Sequence, residues 1–250
     1  MRKLLTFILL TLSFLLFSVN TAKAEEEILI LFDASTSMMY EIDNQPKYIQ
    51  MVDVIKKILS RTDSSKKIGL RIIGIPLNPS MVSYIFSPQK MCRATELLNP
   101  IKSNNIDNII VNLDSIFPLG LSPITYSLAT AITSDFSISA NPKHIILITD
   151  GEEGCDQDPC QFIKEITSVR KDIKIDVIAI NVTEDKAIHQ LKCLAQYTGG
   201  EVKNANNPDQ MDFAFLSVLS KFSSYSKFSQ YTPSQRNIIN YKNYMFETDK

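Results

Sequence analysis

Residues 27–37 read E-I-L-I-L-F-D-A-S-T-S, an apolar run that ends on an aspartate and continues into a hydroxyl-rich turn. Residues 144–151, H-I-I-L-I-T-D-G, repeat the same pattern of an apolar run followed by an aspartate. Such continuous runs are typical of strands that are buried on both faces of a parallel sheet. The two stretches therefore predict two central strands with Asp33 and Asp150 at their carboxyl ends.

Apolar runs and helical periods alternate along the rest of the chain. Two further runs cover residues 67–75 and 174–182, and a shorter strand candidate lies around 95–98. Apolar residues recur at helical spacing between the runs, in segments 48–59, 106–113, 124–131, 162–169, 188–194 and 211–222. This alternation predicts an α/β fold, a mostly parallel sheet with helices on both faces. The 95–98 segment follows 67–75 closely, which predicts an antiparallel edge strand.

The two ends of the chain differ in composition from its middle. Arg2 and Lys3 precede an apolar run that is shorter than the ~20 residues of a membrane-spanning helix, and Ala22-Lys23-Ala24 has the form of a signal-peptidase site. We therefore expect residues 1–24 to be a signal peptide, the chain to be periplasmic or secreted, and membrane contact to be limited to this transient leader. An uncleaved anchor is the alternative.

Residues 25–222 are expected to form one domain, and 223–250 a polar C-terminal tail. The tail is rich in Ser, Asn, Gln, Tyr and Lys and has no sustained period. We expect it to be partly disordered. The alternative is a short partner-binding segment.

Composition excludes several functional classes. A net charge of −1 argues against a nucleic-acid partner that is bound by phosphate neutralisation. The chain lacks G-x-G-x-x-G, and Gly69 to Gly74 is followed by Ile75-Pro76 instead of the Lys-Ser/Thr of a phosphate loop. Only two histidines are present, His144 and His189, and we interpret both as structural. Oxygen chemistry from Asp, Glu, Ser and Thr remains as the main resource.

Four cysteines are present, Cys92, Cys155, Cys160 and Cys193. In an exported protein an even number of cysteines predicts two disulfides, here with three possible connectivities. Proximity in sequence and the bend residues around them favour Cys155–Cys160, which leaves Cys92–Cys193. A zinc site made of all four is the alternative, but the paired C-x-x-C spacing is missing.

Oxygen side chains cluster in three predicted loops. Asp33, Ser35 and Ser37 alternate after the first strand, Ser122 precedes a helix, and Asp150 follows a later strand. In an open parallel sheet, ligands bind outside the carboxyl ends of the strands. Two carboxylates and three hydroxyls suit a hard divalent cation, so we expect Mg²⁺, with Mn²⁺ or Ca²⁺ as alternatives.

The order of these loops resembles that of von Willebrand factor type A domains. The motifs are D-x-S-x-S at 33–37, G-x-S-P at 120–123 and I-T-D-G-E-E at 148–153. G-L-R-I-I-G at 69–74, T-E-L-L-N-P at 95–100 and G-E-E-G-C at 151–155 are similar to bacterial exported members of the family. The resemblance spans about residues 26–222. It implies a doubly wound, mostly parallel six-stranded sheet with one antiparallel edge strand.

The resemblance also implies a metal-ion-dependent adhesion site (MIDAS). By position, Ser35 and Ser37 would bind the ion directly, and Asp33 and Asp150 would bind it directly or through water. Ser122 stands where the family usually has threonine, and it keeps the hydroxyl. Thr36 stands where many members have glycine, which puts the metal affinity in question.

A family member of this kind is expected to bind a partner and not to catalyse a reaction. An exposed Asp or Glu of a protein partner would complete the coordination of the ion. Glu152 and Glu153 are expected on the solvated rim, where they would help to select the partner. The family further implies coupling between the ion and the last helix.

Three alternatives remain open at this stage. The strand-end oxygens can simply cap the following helices, or the fold can persist without metal. The chain can also be a metal-dependent phosphohydrolase with Asp33 as nucleophile, although Ser35 stands where such enzymes have a second aspartate. An envelope-assembly subunit overlaps with the adhesion interpretation. The sequence leaves the oligomeric state and the identity of the partner open.

Overall fold

A six-stranded sheet forms the centre of the molecule. The computed structural model describes residues 25–74, 87–136, 138 and 141–221. The strands are β1 (Glu27–Asp33), β2 (Glu41–Ile42), β3 (Gln45–Pro46), β4 (Lys67–Ile73), β5 (Thr95–Lys102), β6 (Lys143–Thr149), β7 (Ile173–Ile180) and β8 (Val202–Ala205). The sheet order is β5-β4-β1-β6-β7-β8, and β2 and β3 form a separate hairpin. The predicted mostly parallel sheet with one antiparallel edge strand is confirmed, since only β5 of these six runs antiparallel to its neighbour.

The two apolar runs of the opening stretches are the two innermost strands. β1 pairs with β4 on one side and with β6 on the other, and every residue of β1 and β6 is buried. Strands in this position need apolar side chains on both faces, which explains the continuous runs. β8 was not located from the sequence, because V-K-N-A has no such run: Val202 and Lys203 are partly buried, Asn204 is exposed, and only Ala205 is buried.

Helices cover both faces of the sheet. They are α1 (Lys47–Leu59), α2 (Pro88–Met91), α3 (Ile106–Leu113), α4 (Ile124–Thr130), α5 (Pro159–Val169), α6 (Asp185–Tyr197) and α7 (Pro208–Ser220). Ile30 and Phe32 of β1 share a core with α1, α3 and α7 on one face. Leu29 and Leu31 point the other way and share a core with α4, α5 and α6. A 3₁₀ turn (Thr36–Met39) follows β1, and a π-helical turn (Ala131–Asp135) follows α4.

The structure tests some of the predicted boundaries and not others. The leader 1–24, the tail 223–250 and the last predicted helical position, Phe222, lie outside the described residues. In the part of the chain that is described, no helix combines the length and the apolar character that a membrane crossing requires.

Two disulfides join the four cysteines, with a connectivity that differs from the favoured one. The pairs are Cys92–Cys155 and Cys160–Cys193, with Cα separations of 5.5 and 5.2 Å. The expected Cys155–Cys160 pairing is wrong because Cys160 is the second residue of α5, which packs beside α6 and therefore beside Cys193. Cys155 remains in the preceding loop, where it meets Cys92 at the end of α2.

Candidate metal centre

Three loops meet where β1 and β6 end. The two strands are direct neighbours and parallel, so Asp33 at the end of β1 and Asp150 just after β6 emerge at the same edge of the sheet. The loop before α4 adds Ser122 to this edge. The five predicted ligand residues are therefore brought together, and hydrogen bonds link all of them.

Asp33 is the buried centre of this network. Its Oδ1 accepts a hydrogen bond from the Ser35 backbone N–H at 2.8 Å, and its Oδ2 accepts one from the Ser122 hydroxyl at 2.7 Å. The Thr149 hydroxyl donates a third, to Oδ2 at 2.6 Å. Burial, together with the nearby Asp150 carboxylate, raises the pKa of Asp33, and the hydrogen bonds oppose that rise. A cation beside Asp33 would stabilise its charged form.

The two serines of the first loop connect Asp33 to Asp150. Ser35 Oγ lies 3.1 Å from Ser37 Oγ, and the Ser37 hydroxyl donates to Asp150 Oδ1 at 2.7 Å. The 3₁₀ turn that begins at Thr36 brings both side chains to the same side of the loop.

Thr36 fastens the first loop to the second. Its hydroxyl donates to the Gly120 carbonyl at 3.2 Å and accepts from the Gly120 N–H at 3.0 Å. The side chain is turned away from the Asp33 carboxylate toward Gly120. A position that is often glycine in the family that the sequence resembles thus holds a threonine here, which joins the first loop to the second.

Lys47 is a site residue that the sequence analysis missed. Its Nζ lies 2.8 Å from Asp150 Oδ2, and the lysine side chain is only 9% exposed. Nζ also lies 5.7 Å from the centre of the Tyr40 ring. A topological signal was available, because the helix after a parallel strand begins near the carboxyl end of that strand, and Lys47 is the first residue of α1.

The third loop corrects the expected role of Glu153. This side chain is not on the solvated rim: the residue is 5% exposed. Its Oε2 accepts the Thr125 N–H at 2.7 Å and its Oε1 accepts the Cys155 N–H at 2.9 Å. Burial raises the pKa of Glu153, and these backbone hydrogen bonds oppose the rise. Glu152 fits a rim position better, since its side chain is 42% exposed and its carboxylate pairs with Lys186.

An open cleft of about 430 Å³ lies over the cluster. Residues from all three loops line it, together with others from α1 and the loop after β7: Ser35, Ser37, Lys47, Ser122, Asp150, Asn181 and Glu184. The oxygen donors fit a hard divalent cation, because two carboxylates and three hydroxyls already converge within hydrogen-bond distance of one another. The cleft leaves room for a ligand from solvent or from a partner.

The fold and this arrangement of loops define a class of protein. Residues 26–203 match the model of the von Willebrand factor type A domain, and the chain belongs to this family. Domains of this family generally act as interaction modules and not as catalysts.

Relatives and solved structures support the same assignment. The Bacillus subtilis protein YwmD is 29% identical over 205 residues, which cover 80% of this chain and 88% of YwmD. The crystal structure of BatB from Bacteroides thetaiotaomicron superposes with a TM-score of 0.60 at 17% identity, covering 79% of this chain and 98% of that one.

A second similar structure is proximal thread matrix protein 1 from the mussel byssus, with a zinc-occupied MIDAS motif. Its TM-score is 0.56 at 17% identity, and the match covers 78% of this chain and 46% of the mussel chain. At these identities the two structures show a shared fold.

Proposed function

We propose that this domain binds a divalent cation through Asp33, Ser35, Ser37, Ser122 and Asp150 and uses it to hold a carboxylate of a protein partner. The observation that carries the proposal is the convergence of five oxygen side chains from three loops beneath an open cleft. The ion would supply Lewis acidity toward an anionic oxygen, and the chain's own residues would hold the ion and shape access to it.

The donor set also bears on the identity of the ion. Carboxylate and hydroxyl oxygens are hard ligands, which favour Mg²⁺, with Mn²⁺ or Ca²⁺ as alternatives. The zinc in the mussel protein's MIDAS motif supports the capacity of such a site for a divalent cation. We therefore propose Mg²⁺ as the working ion.

We further propose that the protein acts outside the cytoplasm, in adhesion or in envelope assembly. The predicted leader at 1–24 supports this location, and so do the two disulfides, because disulfides persist mainly in oxidising compartments.

The enzymatic alternative is a phosphohydrolase with Asp33 as nucleophile. The geometry of the site favours this enzyme less than it favours a metal-dependent binding module. Asp33 is fully buried and is not among the residues that line the cleft, so a phosphate ester in the cleft would not reach its carboxylate directly. A nucleophilic carboxylate must instead present a free oxygen to the substrate. Ser35, at the position of the second aspartate in such enzymes, cannot act as a carboxylic acid.

A pull-down tests the partner-binding proposal. The purified protein is immobilised and exposed to envelope extract in Mg²⁺ or in EDTA, with Asp33→Asn as the matched variant. We expect a partner that is retained only by the wild-type protein and only with Mg²⁺. The same partners with and without the chelator would contradict metal-dependent adhesion. Metal-dependent hydrolysis of p-nitrophenyl phosphate that is lost in Asp33→Asn would favour the enzyme.

A further inference from the structure

A buried ammonium group contacts one of the proposed metal ligands. Lys47 Nζ lies 2.8 Å from Asp150 Oδ2, while Ser37 occupies the other oxygen of the same carboxylate. Both charged side chains are almost fully buried, with exposures of 9% for the lysine and 1% for the aspartate. A buried ion pair of this kind is a fixed part of the local electrostatics, because little solvent is present to screen it.

The packing around Lys47 fixes the location of its charge within the site. Lys47 is the first residue of the 13-residue helix α1, whose packing against α7 and the sheet holds the backbone in place. The Tyr40 ring lies on another side of the ammonium group, with its own residue on the exposed lip of the cleft. The lysine is thus confined between a metal-site carboxylate and the cleft.

The formal charges of the site change when Lys47 is counted. Asp33 and Asp150 alone give two negative charges, which a divalent cation would neutralise completely. With Lys47 the site carries one negative charge, and the cation-loaded site carries one positive charge. A carboxylate from outside would then bring the assembly to neutrality. The count covers the two ligand carboxylates and the ammonium group that contacts one of them. Of the other acidic residues that line the cleft, Glu152 pairs with Lys186, and Glu184 belongs to the loop after β7 and not to the three ligand loops.

We propose that Lys47 is the specificity-determining residue that makes cation retention depend on an anionic partner. The inference rests on the proposed metal function. Lys47 repels the cation and so weakens its binding when no anion is present, and it attracts an incoming carboxylate once the cation is bound. The cation and the carboxylate attract each other in the shared site, so each raises the affinity for the other by the same factor. Lys47 lowers the affinity for the cation alone and raises the affinity of the loaded site for the carboxylate, so a given carboxylate concentration strengthens cation binding more when Lys47 is present.

Three substitutions separate the charge of Lys47 from its volume. Lys47→Met removes the charge and keeps the length of the side chain, Lys47→Gln removes the charge and keeps a donor, and Lys47→Arg keeps the charge. Mg²⁺ affinity is measured by calorimetry in chloride buffer and again in acetate, at equal free Mg²⁺ and equal ionic strength. Acetate is the carboxylate probe. Melting in EDTA checks that each variant is folded.

We expect Lys47→Met and Lys47→Gln to bind Mg²⁺ about 10- to 100-fold more tightly than the wild type in chloride. Acetate should strengthen Mg²⁺ binding by the wild type and by Lys47→Arg, and should do so less for the two neutral variants. The neutral variants should also melt at a lower temperature in EDTA, because Asp150 loses its buried partner, and Mg²⁺ should reverse this loss.

Two results would overturn the inference alone. One is wild-type Mg²⁺ affinity in both neutral variants, and the other is an acetate effect that is equal in all four proteins. If neither the wild type nor any variant binds Mg²⁺, the proposed function fails, and the inference fails with it.

Discussion

The Ser122 hydroxyl donates a 2.7 Å hydrogen bond to Asp33 Oδ2, although the two residues lie 89 positions apart in sequence. The bond joins the last residue of β1 to the loop that precedes α4. It forms because the topology places both at the same end of the sheet, beside the end of β6. The candidate site is therefore assembled by the topology of the sheet.

The disulfide connectivity gives the first prediction. Peptide mapping by mass spectrometry of the unreduced protein is expected to find Cys92–Cys155 and Cys160–Cys193. A linked Cys155–Cys160 peptide, or four titratable thiols in the native protein, would contradict the structure.

Removal of the longer-range bridge should be costly. Cys92 and Cys155 are separated by 63 positions, and a loop of that size stabilises by about 4 kcal/mol in the chain-entropy model. The double variant Cys92→Ser/Cys155→Ser should lose stability of this order in urea denaturation. The Cys160–Cys193 disulfide closes a shorter loop, with a separation of 33. The double variant Cys160→Ser/Cys193→Ser, which lacks it, should therefore lose slightly less stability. A negligible loss in both would refute the expectation.

Glu153 gives the second prediction, which concerns stability. Glu153→Gln should lower the free energy of unfolding by about 1–2 kcal/mol, because glutamine has only one acceptor oxygen, and its NH₂ group cannot accept a hydrogen bond, so either the Thr125 or the Cys155 N–H group loses its partner. Urea denaturation measures the difference. Glu152→Gln is the matched control, since this neighbour is partly exposed, and should change stability by less than about 1 kcal/mol. Equal effects of the two substitutions on stability would contradict the buried, hydrogen-bonded position of Glu153 and would support the expected position on the solvated rim.

A buried pair away from the metal site gives the third prediction. His144 Nε2 lies 2.9 Å from Asp176 Oδ2, and both side chains are fully buried. Burial opposes ionisation of Asp176, but hydrogen bonds from His144 and from the Glu201 N–H at 2.7 Å outweigh it and hold the pKa of Asp176 below its usual range. Burial lowers the pKa of His144, which is therefore neutral near pH 7.

The sign of the pH dependence follows from the lowered pKa. The stability that charged Asp176 contributes is present above the unfolded value of 3.8 and is lost as the pH falls toward the lower folded value. Asp176→Asn should therefore destabilise by about 1.5–3 kcal/mol at pH 7, the range for lost hydrogen bonds to a charged group, and by less at pH 3, in urea denaturation. Exposed Asp53→Asn is the control. If the loss of stability caused by Asp176→Asn is as large at pH 3 as at pH 7, the result would contradict this account.

The central strands could be predicted from the sequence because their burial on both faces demands apolar runs. β8 could not be predicted, since an edge strand with exposed and partly exposed residues has no continuous apolar run. The five oxygen residues could be placed together because parallel strands end at the same edge. The topology could also have placed Lys47 near this edge, since it begins the helix after β1, but its contact with Asp150 depends on how α1 packs. The burial of Glu153 could not be predicted, because it depends on the packing of α4. The disulfide pairing likewise depends on α5 and α6 lying side by side.

The central claim is that the three loops hold a divalent cation, and a thermal melt with Mg²⁺ tests it most directly. Asp33→Asn keeps the size of the side chain and removes its charge, while exposed Asp114→Asn, which lies in a surface pair with Lys56, controls for charge alone. At Mg²⁺ about 100 times its dissociation constant, binding stabilises by about 2.7 kcal/mol. The melting temperature of the wild type and of Asp114→Asn should rise with Mg²⁺, and that of Asp33→Asn should not. An equal rise in all three proteins, or none in the wild type, would contradict the account.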